Sequence, residues 1–281
     1  MKSPLLFVLL LTLSPLLRAD SNSLTSVNSV TTSNNPSIQT VDIPTNEPDG
    51  RKYSDTTKKN GVSGAQKLAD CKKRVDEFKD KPCDVIFIGD SITQFWLDPK
   101  RGGLPIWNEK YAPRHSLDFA IAGDSIQNVL WRLNNMGVDS LKPKVAVIMI
   151  GTNNRKNSPK EIADGVKAVI AKTQGIFPGV KIILVSILPS NRLSAGKDAL
   201  ALNDRMMATD AIIKDFADSN SIYWLDLVPM MPPIKITTPD GSEDINFTGL
   251  GADKIHPDGT GYKIWADSME PILQKLLSGK T

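Results

Sequence analysis

Val85-Ile86-Phe87-Ile88, Val145-Ala146-Val147-Ile148-Met149-Ile150 and Ile182-Ile183-Leu184-Val185 are short runs with no polar side chain. A run that short, apolar throughout and partly β-branched, reads as a strand buried on both faces of a parallel sheet. Extended along the chain, the reading places strands at Asp84–Ile88, Leu117–Ile121, Val145–Ile150, Lys181–Ile187 and Ile222–Leu227. Helical patterns fall between them, near Ile126–Met136, Pro159–Gln174, Lys197–Ala217 and Tyr262–Leu277. An earlier helix is expected over Gly64–Lys81, where Leu68, Cys71, Val75 and Phe78 recur at i, i+3, i+7 and i+10. Ser158-Pro159-Lys160-Glu161 reads as a helix start, with serine as N-cap, proline at the first position and glutamate at the third. Repeated alternation of strand and helix implies an α/β protein whose parallel sheet is covered on both faces.

The N-terminal quarter differs in kind. Lys2 precedes an apolar run from Pro4 to Leu17, and Leu17-Arg18-Ala19 offers a small residue for cleavage. This predicts a signal peptide over 1–19 and a secreted or periplasmic protein. The run is shorter than the roughly 20 apolar residues that span a bilayer, and no later stretch reaches that length, so no stable membrane insertion is expected. Residues 20–63 are rich in Ser, Thr, Asn and Pro and poor in large apolar side chains, which predicts a disordered tail or linker. One domain, 64–281, suffices for the rest. The formal charge of +3 includes Lys2 and Arg18; without them it is +1, which gives no electrostatic reason to expect a nucleic acid partner. Cys71 and Cys83 are the only cysteines. They can pair in an oxidising compartment or stand as separate thiols, and spacing does not choose between these.

Side chains just past the C-terminal ends of parallel strands face the crevice where α/β proteins bind ligands. Three apparent strands end there in Gly89-Asp90-Ser91, Gly123-Asp124-Ser125 and Gly151-Thr152-Asn153-Asn154. A serine at such a place is a candidate nucleophile if a base and an orienting acid are at hand. It is also an ordinary turn residue or helix N-cap. Because Gly-Asp-Ser occurs twice, local physics does not select between Ser91 and Ser125. The chain has two histidines. His115 follows Pro113-Arg114 with no acid placed to orient it, and reads as a structural or surface histidine. His256 has Asp253 three residues before it, a spacing that reaches Nδ1–H in a turn and leaves Nε2 free to take a hydroxyl proton. The alternative is an Asp-rich surface loop. Glycine at these rims exposes backbone N–H groups, and Asn153 adds a neutral donor suited to an oxyanion. No metal is expected, since two histidines and two cysteines stand at no ligand spacing. Neither is a dinucleotide or other cofactor: the turn after the first strand lacks the glycine fingerprint, and Gly249-Leu250-Gly251 follows no apparent strand.

Taken together, Gly89-Asp90-Ser91-Ile92, Gly123, Gly151-Thr152-Asn153-Asn154 and Asp253-Lys254-Ile255-His256 resemble the four blocks of the SGNH hydrolases, the GDSL-type esterase/lipase family. Val129-Leu130-Trp131-Arg132-Leu133 and Lys142-Pro143-Lys144-Val145 resemble the branch holding the platelet-activating-factor acetylhydrolase α subunits and exported bacterial acetylesterases. The resemblance covers roughly Cys83 to the C-terminus. It implies a three-layer α/β/α sandwich of flavodoxin-like type with a five-stranded parallel sheet. It implies that Ser91 is the nucleophile, His256 the base and Asp253 its orienter, with Ser91 N–H, Gly123 N–H and the Asn153 side chain as oxyanion hole. Asn154 stands where many members have aspartate. Asp90, Asn154 and Trp131 are further candidates for substrate contact. The expected activity is hydrolysis of short-chain acetyl esters, with carbohydrate esters foremost; Trp96, Trp107 and Trp131 are either sugar-stacking faces or core aromatics. The alternatives are a lipid-directed acylhydrolase and a non-catalytic glycan-binding protein, the latter predicting a lost triad member.

Overall fold

The structure is a computed structural model that describes residues 63–191 and 199–279. The expected leader and nearly all of the expected tail lie outside the described residues. Ser63, assigned to that tail, is instead the N-cap of the first helix, its Oγ accepting from Gln66 N at 3.1 Å.

Five strands form one parallel sheet: β1 (Val85–Gly89), β2 (Ser116–Asp118), β3 (Val145–Met149), β4 (Lys181–Val185) and β5 (Ile222–Leu225), in the spatial order β2-β1-β3-β4-β5. Successive side chains of a strand point to opposite faces, and the core divides accordingly. Ile86, Ile88, Ala146, Ile148, Ile182 and Leu184 meet α1 (Gly64–Asp76), α3 (Ile126–Asn135), α4 (Pro159–Ile176) and α5 (Ala199–Ile213). Val85, Phe87, Val145, Val147, Ile183 and Val185 meet Trp96, Trp107 and Tyr111 on the helical turns of 95–111, and Tyr262, Trp265 and Met269 on α6 (Gly259–Leu277). Apolar side chains on both faces of every central strand therefore need a helical layer on each side, and the three-layer α/β/α architecture follows. A four-residue helix, α2 (Ser91–Gln94), leaves the end of β1.

All five expected strands are present with shifted ends. β2 stops at Asp118 rather than Ile121, although Phe119 N still donates to Phe87 O at 2.8 Å. β4 and β5 end two residues early, and the first helix ends at Asp76. The fourth expected helix ends at Ile213, passing into the turn Lys214–Phe216, while Lys197 lies outside the described residues. The capping box of α4 is as read: Ser158 Oγ accepts from Glu161 N, and Glu161 accepts from Ser158 N at 2.7 Å. Sequence reading missed an antiparallel hairpin, β6 (Pro233–Thr237) and β7 (Glu243–Phe247). Pro239-Asp240-Gly241 between β-branched runs is a turn signal that reveals it, and Gly241 sits at φ 84°.

Because β7 precedes it, Gly249-Leu250-Gly251 does follow a strand. It is a packing turn: a Cβ on Gly249 would stand 2.6 Å from Gly261 Cα. Cys71 and Cys83 are separate buried thiols. Each Sγ lies against a backbone carbonyl, of Phe119 and Val85 respectively. Burial pushes the Cys83 thiol up to about 12. Among the described residues no helix is long and apolar enough to cross a membrane, and no group of three or more His, Cys, Asp or Glu is gathered to hold a metal.

Candidate active site

Gly89 ends β1 at a point where no side chain fits: a Cβ would stand 2.3 Å from Thr93 Oγ1 and 2.5 Å from Met149 O. That contact lets the chain turn sharply from strand into α2. Asp90 caps α2, its Oδ1 accepting from Ile92 N at 3.0 Å, so Ser91 is the first helical residue.

The partners of Ser91 come from the opposite end of the sequence. The loop between β7 and α6 is closed by Gly251 N donating to His256 O and Lys254 N donating to Gly251 O, both at 2.9 Å. Lys254 takes a left-handed φ of 57°, and its Nζ pairs with Asp244 on β7. Within this loop Asp253 Oδ1 accepts from the backbone N–H of His256 at 3.0 Å and of Ile255 at 3.2 Å. Its Oδ2 lies 2.8 Å from His256 Nδ1, and His256 Nε2 lies 2.8 Å from Ser91 Oγ. Asp253 thus shapes the loop with one oxygen and orients the imidazole with the other. Burial pushes the Asp253 carboxyl up, but the hydrogen bonds and charge of His256, together with Arg101, hold it well below the usual carboxylate range. The Phe95 ring packs on the imidazole, centroids 4.8 Å apart.

Arg101 was not found by sequence reading. Its Nη2 stands 2.8 Å from Asp253 Oδ2, the same oxygen that faces His256. No motif marks it; the two glycines that follow, Gly102 and Gly103, are the only hint of a loop pressed closely against its neighbours.

Three rim loops are tied together beside Ser91. Ala122 N donates to Gln94 Oε1 at 2.6 Å, and Asn153 Nδ2 donates to Asp124 O at 2.9 Å and to Asp90 Oδ2 at 3.2 Å. Gly123, exposed at φ 84°, lies between these anchored residues. The N–H groups of Ser91 and Gly123 donate no hydrogen bond to any described residue. They are available donors at the rim. Asn153 has both amide hydrogens engaged, so it must release the longer bond, to Asp90, to serve an oxyanion. Under the rim, buried Arg132 pairs with Asp124 at 2.7 Å and reaches Gly89 O at 3.3 Å, joining the first two loops from below.

Several expected roles change. Ser125 is a helix start: Asn128 Oδ1 accepts from its N at 3.0 Å and its Oγ at 2.9 Å. Of the two Gly-Asp-Ser serines, Ser91 is the one that meets a histidine among the described residues. Asp90 is buried, capping α2 and holding Asn153, which removes it from substrate contact. Asn154 is likewise buried, its Oδ1 accepting from Ile126 N at 3.0 Å and its Nδ2 donating to Gln127 and Asn157. Trp96 and Trp107 are core aromatics. Trp131 is half-buried on α3, where it lines a groove with Ala65, Leu68, Lys72 and Met136 of α1 and the α3 terminus. His115 does have an orienting acid: its Nδ1 lies 2.7 Å from Asp84 Oδ2. Parallel pairing of Val85 with Ser116 brings the preceding residues together. That pair sits at the N-terminal ends of β1 and β2, opposite the rim that carries Ser91.

Residues 87–264 match the GDSL-like lipase/acylhydrolase family. The chain is 41% identical over 111 residues to the α2 subunit of platelet-activating factor acetylhydrolase IB from Homo sapiens; the match covers 40% of this chain and 46% of the subunit, so the chain spans about half the length of that relative. In architecture it resembles a GDSL-like lipase from Bacteroides thetaiotaomicron, with a TM-score of 0.57 and 17% identity over 75% of this chain and 98% of that one. It also resembles an acetyl xylan esterase, with a TM-score of 0.50 and 19% identity over 67% of this chain and 98% of the other. At these identities the structural likenesses speak to fold alone.

Proposed function

The chain belongs to the GDSL-like lipase/acylhydrolase family, and from that premise we propose that it is a serine carboxylester hydrolase working through Ser91, His256 and Asp253. The observation that carries the reading is the unbroken line of two 2.8 Å contacts from Asp253 Oδ2 to His256 to Ser91 Oγ. In the first half-reaction Ser91 Oγ attacks the ester carbonyl while His256 Nε2 takes its proton. The carbonyl oxygen becomes an oxyanion facing the N–H groups of Ser91 and Gly123 and the Asn153 amide. Collapse expels the alcohol, which takes the proton from His256, and leaves an acyl-serine. Water, deprotonated by the same imidazole, then attacks the acyl-serine, and the acid leaves as Ser91 is restored.

The acyl group in this reading is acetyl and the alcohol a carbohydrate. Beside Ser91 stand Gly123, Asn153 and His256, a polar setting suited to a hydroxyl-rich alcohol. A second reading, a lipid-directed acetylhydrolase, is favoured by the 41% identity to a platelet-activating factor acetylhydrolase subunit. Export to the periplasm or medium, after removal of a leader over 1–19, belongs to the same proposal. The test is hydrolysis of p-nitrophenyl acetate by purified protein and by Ser91→Ala. Loss of activity of about 10⁶-fold is expected on removing the nucleophile, with loss of labelling by a fluorophosphonate. Undiminished turnover in the variant would refute the reading. Acetylated xylan and octanoyl esters tried side by side distinguish the carbohydrate from the lipid substrate.

A further inference from the structure

The Asp253 oxygen that orients the imidazole carries a second cation. Arg101 Nη2 and His256 Nδ1 each stand 2.8 Å from Oδ2. The other oxygen is occupied by two backbone N–H groups and cannot relieve it. The arginine is held in place from several directions. Gly102 sits at φ 79°, where a Cβ would meet Gly259 Cα at 2.7 Å, and a Cβ on Gly103 would meet the Tyr262 ring at 2.8 Å. This presses the loop onto the first turn of α6, directly after the triad histidine. The guanidinium lies over Gly251, its Nη1 at ordinary contact distance, 3.6 Å, from where a Cβ would stand. The guanidinium carbon also lies 5.2 Å from the Phe95 ring centre, and that ring packs on His256.

We infer that Arg101 is a positioning residue of the triad: by sharing Asp253 Oδ2 with the imidazole it keeps His256 neutral, and so able to act as a base, in more acidic medium than an Asp–His pair alone would permit. The inference rests on the hydrolytic reading of the site. Two effects act in the same direction. The guanidinium, charged at every working pH, repels a proton on the neighbouring imidazole. It also draws on the carboxylate charge that would otherwise stabilise the imidazolium. Among the charged groups on its own loop and the elements beside it, Asp253 and Lys254 share the loop, Asp244 of the hairpin pairs with Lys254, Asp258 caps α6 two residues after His256, and buried Asp90 caps α2. Arg101 is thus the cation on the orienting oxygen itself, while Lys254 is turned toward the hairpin. An arginine that merely propped Asp253 in place would have the opposite signature: its loss would loosen the Asp–His contact and lower the imidazole pKa.

The sign of that shift is the test. The chain has two histidines, so an NMR titration of the ring protons shows two curves, and His115→Gln identifies which is His256. In Arg101→Met the His256 pKa is expected to rise by about half to one pH unit, a three- to tenfold change in neutral imidazole on the acid side. The partly exposed setting of the pair, with side chains 27% and 26% accessible, sets that modest size. Arg101→Lys restores the charge and returns the value toward the parent; Arg101→Gln is a second neutral variant should methionine disturb the loop. The acid limb of kcat/KM for p-nitrophenyl acetate moves with the NMR value. A His256 pKa unchanged or lowered in both neutral variants overturns the inference. The titration needs no turnover, so a raised pKa in a protein that cleaves no ester supports the role of Arg101 while the hydrolase reading fails.

Discussion

Replacing Asp253 by asparagine alters a single atom, yet its geometry predicts a severe loss. Asp253 accepts from four donors: two backbone N–H groups at Oδ1, and His256 Nδ1 and Arg101 Nη2 at Oδ2. An amide has one oxygen and one NH₂. With its oxygen at the Oδ1 position, asparagine keeps both backbone bonds and turns the NH₂ toward the imidazole and the guanidinium. Reversed, it loses both backbone bonds, each a partly buried donor worth roughly 1–3 kcal/mol when left unmet. The first orientation therefore wins. In it the imidazole can accept from the amide only through Nδ1, so its proton moves to Nε2 and the ring faces Ser91 as a donor. An inverted tautomer of this kind costs a serine triad about 10⁴ in kcat, or roughly 5.4 kcal/mol of barrier at 1.36 kcal/mol per factor of ten. The assay is steady-state hydrolysis of p-nitrophenyl acetate by Asp253→Asn, with thermal melts to show that the loop is still folded. A loss smaller than tenfold in a folded variant would mean that Asp253 does not set the tautomer, and the triad assignment would fall with it.

Two further outcomes are expected. Gly89→Ala places a Cβ against Met149 O and Thr93; the overpacking is expected to cost about 1–3 kcal/mol in urea unfolding and to lower kcat through displacement of Ser91, and wild-type values on both counts would contradict the close-contact argument. Burial, reinforced by repulsion from Asp226, raises the Asp210 carboxyl to about 8, while Ile187 N donates to its Oδ1. The folded state thus holds a proton that the unfolded chain releases near pH 4, so stability declines by ~1.4 kcal/mol per pH unit as pH rises from about 4 to 8. Asp210→Asn keeps the bond to Ile187 without that charge, and should raise the urea midpoint at pH 8 more than at pH 5; an equal effect at both would remove Asp210 as the cause.

Much of the fold was legible in the chain itself, because the forces that place it are local and repetitive. Val85–Ile88 and Val145–Ile150 have no polar face, so any structure holding them as strands must cover both sides. Ser158 and Glu161 are close enough in sequence to cap a helix wherever it lies. Asp253 and His256 could be proposed as a pair because they sit within one four-residue motif, whereas Ser91 and Ser125 share the same Gly-Asp-Ser setting and only the family resemblance separated them in the sequence. The order of strands and everything it juxtaposes was not. Placing β1 between β2 and β3 depends on long-range packing, and only that placement sets Asp84 beside His115, Asn153 beside Asp90, and Arg132 beneath Gly89. Arg101 belongs to the same class. Its neighbours in sequence say nothing of Asp253, and the loop that carries it is fixed by Gly102 and Gly103 seating on a helix more than 150 residues away. Side-chain type and short spacing are enough to propose a base and its orienting acid. Which charges surround them, and which neighbouring polar groups are already occupied, is decided where distant segments meet.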